Sequence, residues 1–427
     1  MPQYDYPMLR NLEVIPIDLR GKPGVALRDP LQYAAEMIAL PREALAVLQF
    51  FDGNKNIDDI LDEISRQYGG EGVIGKDDIL TLVKSLDDNH FLLSEKYLKE
   101  KRRIEEEFYR SNIRYPIHSG LSYSDDPEEL RQELESYSSK VAAMSSDKSA
   151  SDNINIGGDI RAAIAPHISI SSGGECFAHA YNVLKAEPPA DLYIILGIGH
   201  EGLDNFFAGT KKDFETPLGT VKTDVGFLER LGEAFDNSSS SNSGIKNRLF
   251  SGEALHRTEH TIEFQAVMLK HILGKTPFAI APILTSFAHQ YIVEDRFEGE
   301  KKMIDEFIVA LKGLISSYSG RVVIIASVDF AHVGVKYGSD APLTKAELED
   351  MKRRDTEMID IISKGDASGF LSHISEDSNK RNVCGFSAIY TMLNVIDGLN
   401  GYLLNYDEAI MDDQNSTVTF AGMVFTT

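Results

Sequence analysis

The stretch Arg321–Gly334, RVVIIASVDFAHVG, decides the predicted fold. It begins with a β-branched apolar run from Val322 to Ile325, which is too short for an ordinary helix. Such a run is typical of a strand buried on both faces of a parallel sheet. Asp329 and His332 follow the end of this strand. Because open α/β folds bind ligands at the carboxyl edge of the sheet, these two side chains mark a predicted site.

Two further predicted strands end in a histidine. Ile160–His167, IRAAIAPH, finishes at His167, and Asp191–His200, DLYIILGIGH, finishes at His200. Strands alternate with helices through this part of the chain, which predicts parallel βαβ units. A single histidine after a strand is more often a satisfied polar residue than a ligand. Histidines at several equivalent strand ends favour one shared site.

Two predicted helix starts add candidates. Glu259 and His260 precede a helix and are either simple capping residues or members of the site. Cys384, in NVCGFSAI, also precedes a helix, where a thiol has a lowered pKa that suits metal ligation or nucleophilic chemistry. The alternative for Cys384 is a small buried hydrophobic residue. Asp329 either caps its strand or orients a neighbouring imidazole. The remaining histidines are predicted to be structural, namely residues 90, 118, 179, 256, 271, 289 and 373.

Composition and charge narrow the functional classes. The chain has 427 residues and a formal net charge of -23, which repels phosphate backbones and anionic membranes. Neither nucleic acid nor a membrane is therefore an expected partner. The two cysteines, Cys176 and Cys384, provide no disulfide framework. No signal-peptide pattern is visible, and no uncharged apolar run approaches the roughly 18 residues of a membrane span, so the expected location is cytoplasmic.

The chain length suggests two domains. The sequence pattern of residues 1–95 predicts a small helical domain with short β strands and winged-helix-like proportions. The pattern of residues 96–112 predicts a charged helical linker. Residues 113–427 predict an α/β domain. Two serine-rich stretches, 138–155 and 237–243, are predicted to be loops.

A resemblance rests on an ordered set of motifs: APH…SSGG, LGIGH, TPLG, EHTIEFQ, SVDFAHVG and NVCGFSAI. From about Ile113 onward the sequence resembles the Memo family, whose bacterial and archaeal members include AmmeMemoRadiSam system protein B. The resemblance implies an α/β/α sandwich with a mostly parallel central sheet, related to class III extradiol dioxygenases. It also implies a metal site made by two histidines and a cysteine, with further site residues around it. Carried across by motif, the ligands are His167, His200 and Cys384, and the expected catalytic residues are Glu259, His260, Asp329 and His332. Of these, His260 and His332 are expected to act as acid/base or substrate-orienting groups, and Asp329 to support the ligands.

The sequence departs from the family pattern in two places. Ile168-Ser169-Ile170 follows the first histidine where relatives often have Ala-Gly-Tyr or Ile-Asp, so no substrate contact is carried over to those positions. Gly-Ile-Gly-His replaces the common Gly-Pro-Ser-His and keeps the ligand at His200.

Two imidazoles and a thiolate form an open, soft ligand set that suits iron, copper or zinc. Iron is the expected cofactor, with copper or zinc as alternatives. The leading hypothesis is a metal-dependent redox or dioxygenase-like enzyme. It would work with a radical-SAM partner on a peptide or a small aromatic substrate. Catechol cleavage does not transfer from the fold alone. The alternatives are a non-catalytic adaptor for phosphorylated or carboxylated peptides and a metal-handling protein. The order ALRDP, VLQFFDG, DILDEI and LVKSLDDNHFLLSE in the first domain resembles the PqqD-like peptide-binding modules. A structural or regulatory appendage is the other interpretation.

Overall fold

The computed structural model describes residues 5–68, 74–147, 156–238 and 247–427. The chain divides into two compact units, Met1–Ser111 and Asn112–Thr427. The charged helix that was expected to link two domains belongs to the first of these units.

The first unit combines a small sheet with helices. Its three strands are β1 Glu13–Asp18, β2 Pro23–Arg28 and β3 Ile38–Pro41. They pair antiparallel in this order. The helices are α1 Leu45–Leu48, α2 Ile57–Tyr68, α3 Lys76–Asp88 and α4 Glu95–Arg110. One apolar cluster, which includes Leu27, Ile60, Val83 and Phe91, joins the sheet to the helices. The winged-helix-like comparison stays a prediction.

The second unit is built on a nine-stranded sheet and also contains a separate two-stranded sheet. The strands of this unit are β4 Ile113–Arg114, β5 Ile160–Ala165, β6 Leu192–Ile198, β7 Phe207–Gly209, β8 Asp213–Phe214, β9 Lys222–Thr223, β10 Ala279–Thr285, β11 Val322–Ser327, β12 His332–Val333, β13 Asn400–Ile410 and β14 Thr417–Thr426. The small sheet pairs β4 with β8. Seven strands of the large sheet lie in the order β12-β14-β5-β11-β6-β10-β7, with β13 paired to β14 and β9 paired to β10. The central strands β5, β11, β6 and β10 are all parallel. β14 lies antiparallel to β5 and continues the sheet to β13 and β12.

Helices cover both faces of this sheet. They are α5 Pro127–Asp147, α6 Ile170–Ala186, α7 Val225–Ser238, α8 Thr261–Leu273, α9 Gln290–Val293, α10 Glu298–Ser317, α11 Lys345–Ser363, α12 Ala367–Glu376 and α13 Phe386–Val395. Successive side chains of a strand point to opposite faces. In β6, Ile194 and Leu196 accordingly join one apolar cluster, while Tyr193 and Ile195 join the other. The predicted α/β sandwich with a mostly parallel sheet is confirmed.

The serine-rich stretches differ from their prediction as loops. Residues 138–147 continue α5, because apolar side chains such as Leu134 and Val141 recur at helical spacing and are buried. Residues 148–155 lie outside the described residues. Likewise α7 extends through Ser238, and the rest of the second stretch lies outside the described residues. Across the described part of the chain, no helix is both long and apolar enough to cross a membrane.

A close approach between β6 and α8 positions two of the site segments. A Cβ atom on Gly197 would clash with Thr261 Oγ1 and would lie only 2.8 Å from Ile262 Cδ1. Thr261 Oγ1 also lies 3.2 Å from both the backbone N and the carbonyl O of Ile198. Only glycine therefore lets the end of β6 pack directly against the start of α8.

We predict that Gly197→Ala lowers the free energy of unfolding of the second unit by about 1–3 kcal/mol, because the added methyl group overpacks this contact. Gly313→Ala is the matched control, since Gly313 is exposed within α10 and a Cβ there meets no atom within 4 Å apart from the adjacent backbone of its own helix. It should raise stability by about 0.5–1 kcal/mol. Denaturant unfolding of both variants measures the difference. A Gly197→Ala protein as stable as the wild type would contradict this account of the packing.

Candidate metal centre

Three side chains from distant parts of the sequence meet at the carboxyl edge of the parallel strands. One nitrogen from each of His167 and His200 and the Sγ atom of Cys384 all lie within 4.8 Å of one another. His167 Nε2 is 3.4 Å from Cys384 Sγ. The two histidines follow the ends of β5 and β6, and Cys384 precedes α13. Atoms this close can all reach one ion at bond lengths of about 2.0–2.3 Å after small adjustments.

His167 is held in the tautomer that a ligand needs. Its side chain is buried, and Nδ1 lies 2.9 Å from the carbonyl oxygen of Ser327. Because a carbonyl can only accept, Nδ1 donates its hydrogen and Nε2 keeps a lone pair on the side of Cys384. Burial, together with the neighbouring His200 and His260, lowers the pKa of His167 well below its usual range. His167 is therefore neutral at physiological pH.

The orientation of the His200 ring is set by Glu259. Its Nδ1 lies 3.0 Å from Glu259 Oε2, and its backbone N–H donates to the same oxygen at 3.2 Å. Partial desolvation by the surrounding protein acts to lower the pKa of His200, but the Glu259 carboxylate and the Cys384 sulfur raise it well above its usual range. Burial likewise opposes ionisation of Glu259, yet His200 and His260 hold the pKa of this carboxyl well below its usual range. Glu259 is therefore an anion that orients the ligand.

His260 completes a group of three rings. Its ring centroid lies 5.2 Å from that of His200 and 5.4 Å from that of His167. Its Nδ1 lies 3.1 Å from Glu259 Oε1, so Glu259 lies between two imidazoles. His200, Glu259 and His260 also have ligand atoms within 4.8 Å of one another. However, the His200 and His260 rings are nearly parallel, with an interplanar angle of 6°, and Nδ1 of each already contacts the shared carboxylate. The geometry favours a hydrogen-bonded group over a second metal site.

Asp329 and His332 occupy different positions. Asp329 Oδ1 accepts from the backbone N–H groups of His167 at 2.9 Å and Ile168 at 3.2 Å, and Oδ2 is 3.7 Å from His167 Nε2. Burial raises the pKa of Asp329 to about 6. His332 packs against Tyr337, and burial lowers its pKa to about 4. Neither of the two ligand groups found among the described residues includes His332.

The lowered pKa predicted for Cys384 is wrong. α13 begins at Phe386, and burial raises the pKa of the Cys384 thiol more than the neighbouring His200 lowers it. The helix start was visible in the sequence, but the desolvation comes from residues that are distant in the chain. A bound cation would restore the thiolate, because metal ligation deprotonates a coordinating thiol.

Two parts of the site were missed by sequence reasoning. His118, predicted to be structural, has its ring 5.3 Å from that of His260. Its backbone N–H donates at 3.0 Å to Glu263, a buried carboxylate that also accepts from Arg114 and Tyr123. No local pattern signals this contact, because His118 and Glu263 are 145 positions apart.

The second missed part is Gln265. Its Nε2 donates to the Pro166 carbonyl at 2.8 Å and to Ser327 Oγ at 2.7 Å. Ser327 Oγ donates in turn to the Thr261 carbonyl at 2.6 Å. Gln265 thus ties together the segments that carry His167, Asp329 and His260. A glutamine on the apolar face of a predicted helix was the available signal.

The family-model match covers the unit that contains this site, and two of the alignments with relatives are longer than that unit. The sequence model of a family described as Memo-like protein matches residues 114–424. A MEMO1 family protein of Aquifex aeolicus is 27% identical over 402 residues, which cover 93% of this chain and 95% of the relative. A MEMO1 family protein of Thermus thermophilus is 24% identical over 352 residues, 82% of this chain and 93% of the relative. A third, from Methanosarcina acetivorans, is 27% identical over 272 residues, 62% of this chain and 86% of the relative.

We predict that metal binding releases protons and weakens as the pH falls. Before an ion binds, the raised pKa values leave protons on His200 and on the Cys384 thiol near neutral pH, and the ion must displace them. The apparent affinity for Zn²⁺ should fall about tenfold per pH unit for each proton displaced. Titration calorimetry in buffers of different ionisation enthalpy counts these protons.

A variant tests which group sets this proton release. Glu259→Gln removes the carboxylate that raises the pKa of His200. The variant should release about one proton fewer at neutral pH. Unchanged proton release would show that Glu259 does not set the protonation of His200.

Proposed function

The chain belongs to the family of Memo-like proteins, and we propose that it is a metal-dependent redox enzyme whose ion is bound by His167, His200 and Cys384. The observation that carries the proposal is the 3.4 Å approach of His167 Nε2 to Cys384 Sγ while His167 Nδ1 is committed to a carbonyl. This arrangement leaves a nitrogen lone pair and a sulfur facing each other with His200 beside them.

The donor set fits a transition metal. Two imidazoles and one thiolate leave coordination positions open, as catalytic sites do. Sulfur and imidazole ligands suit iron, copper and zinc, and iron is the ion we propose. A bound iron ion would supply one-electron redox chemistry and Lewis acidity to a substrate held at the open positions.

The surrounding residues would handle protons. Because Glu259 can only accept, His260 Nδ1 donates to it, and His260 Nε2 is the ring nitrogen left to exchange a proton with the substrate. Asp329, whose pKa is about 6, changes protonation close to neutral pH and can hold or return a proton beside His167. His332 stays neutral at physiological pH because its pKa is about 4, and it serves as a hydrogen-bonding group at the edge of the site.

The substrate in this proposal is a peptide or a small aromatic molecule, and the partner is a radical-SAM protein. Both follow from the motif resemblance. A metal-handling protein is the second candidate, because the side chain of His200 is 37% exposed and an exposed ligand favours exchange of the ion. An ion that a chelator removes within seconds would favour metal handling, and a slowly exchanging ion would favour the enzyme.

We predict that the double variant His200→Ala/Cys384→Ser loses the metal, because only one of the three ligands remains. Metal analysis of protein purified from its native host under anaerobic conditions measures the loss. Cys176→Ser is the matched control, since Cys176 is buried in a separate apolar cluster with Ile168 and Phe420. The control should keep its metal. Unaltered metal content in the double variant would exclude the proposed ligand set.

His260→Ala tests the proton-handling step. The variant should keep the metal, because His260 is outside the ligand set, and should lose about 10²-fold or more in turnover. Oxygen consumption with a panel of phenols and peptides provides the assay. Full turnover in the variant would remove His260 from the mechanism.

A further inference from the structure

The segment that carries Cys384 lies between α12 and α13 and forms neither helix nor strand. Ser378, Asn379 and Asn382 have left-handed backbone conformations, with φ values of 54°, 55° and 48°. Asn379 Oδ1 accepts from the Val383 N–H at 2.9 Å. Because this segment is neither helix nor strand, no regular pattern of backbone hydrogen bonds fixes the position of Cys384. Contacts from other elements must supply that constraint.

Arg381 anchors this segment. Its side chain is 7% exposed and forms an ion pair with Asp355 of α11, whose side chain is completely buried. Arg381 Nη2 lies 3.1 Å from His373 Nε2. The carbonyl of Arg381 accepts from the His332 N–H at 2.7 Å. The guanidinium therefore fixes the backbone shortly before Cys384.

The second oxygen of Asp355 supports, through Thr419, the segment after β11 that contains Asp329. Asp355 Oδ2 accepts from Thr419 Oγ1 at 2.6 Å and from the Tyr406 hydroxyl at 2.9 Å. Thr419 in β14 pairs with the segment after β11: its carbonyl accepts from the Phe330 N–H at 2.7 Å, and its Oγ1 accepts from the Ala331 N–H at 2.9 Å. That segment contains Asp329, which holds the backbone of His167.

We propose that Asp355 is a positioning residue of the metal centre: one buried carboxylate sets the Cys384 segment and the Asp329 segment relative to each other. The inference rests on the proposed function, and Asp355 belongs to neither ligand group. One oxygen pairs with Arg381 in the Cys384 segment. The other accepts from Thr419 of β14, which in turn accepts from the segment that contains Asp329, so the carboxylate links the two segments through these partners. Residues that orient metal ligands typically affect metal affinity by about 10–100-fold.

Asp355→Asn is the first test. The amide keeps the shape of the side chain but removes the charge that anchors Arg381. The variant should bind Zn²⁺ about 10–100-fold more weakly. It should also show an altered thiolate charge-transfer band when Co²⁺ is bound. Glu306→Gln is the matched control, because Glu306 pairs with the buried Arg248 at 3.3 Å in the same unit. Its Zn²⁺ affinity and Co²⁺ spectrum should equal those of the wild type.

A second variant separates positioning from stability. Asp355→Asn removes the nearer of the two carboxylates beside the buried Arg381 charge and leaves only Asp377, 3.7 Å away. Asp355→Asn/Arg381→Met removes that poorly compensated charge and should recover thermal stability. The double variant should still bind Zn²⁺ weakly, because the anchor remains absent. The positioning role would be overturned, and the proposed function left intact, by either of two results. One is a double variant that recovers Zn²⁺ affinity together with stability, and the other is wild-type Zn²⁺ affinity in Asp355→Asn. Wild-type protein that binds no Zn²⁺ would overturn the proposed function as well.

Discussion

His167 can present a lone pair toward Cys384 only because its other ring nitrogen donates to the carbonyl of Ser327. That carbonyl is in place because β11 pairs in parallel with β5, with Ser327 opposite Ala165. The register of two buried strands thereby fixes the tautomer and direction of a side chain in the site. Because a one-residue slip would turn every side chain of a strand to the other face, the apolar faces of the sheet protect this arrangement.

Buried polar groups fix the positions of the other site residues in the same way, through hydrogen bonds to several segments. Glu259 holds His200 and His260, and Gln265 ties the strand ends to α8. Asp355 links Arg381, near Cys384, to Thr419, which pairs with the segment that carries Asp329. A buried polar group is costly unless it is hydrogen-bonded, and these three have partners on several segments. Their cost is offset only when the segments adopt one mutual arrangement, which gives the site a defined geometry.

Local patterns in the sequence were sufficient for part of this structure. The apolar runs before His167 and His200 predicted parallel strands, and the strands were found with ends close to those expected. Order in the chain could not reveal how far each side chain would be buried. Hence the pKa of Cys384 was expected to fall, whereas burial raises it. His118 and Asp355 were missed because their contacts depend on residues far away in the sequence, such as Glu263 and Thr419.

The central claim is that one ion binds to two imidazoles and one thiolate. X-ray absorption spectroscopy at the zinc edge of Zn²⁺-loaded protein measures the ligand shell directly. We expect one sulfur at about 2.3 Å and two imidazole nitrogens at about 2.0–2.1 Å. A shell of oxygen and nitrogen ligands without sulfur would contradict the account, since Cys384 would then take no part in binding the metal.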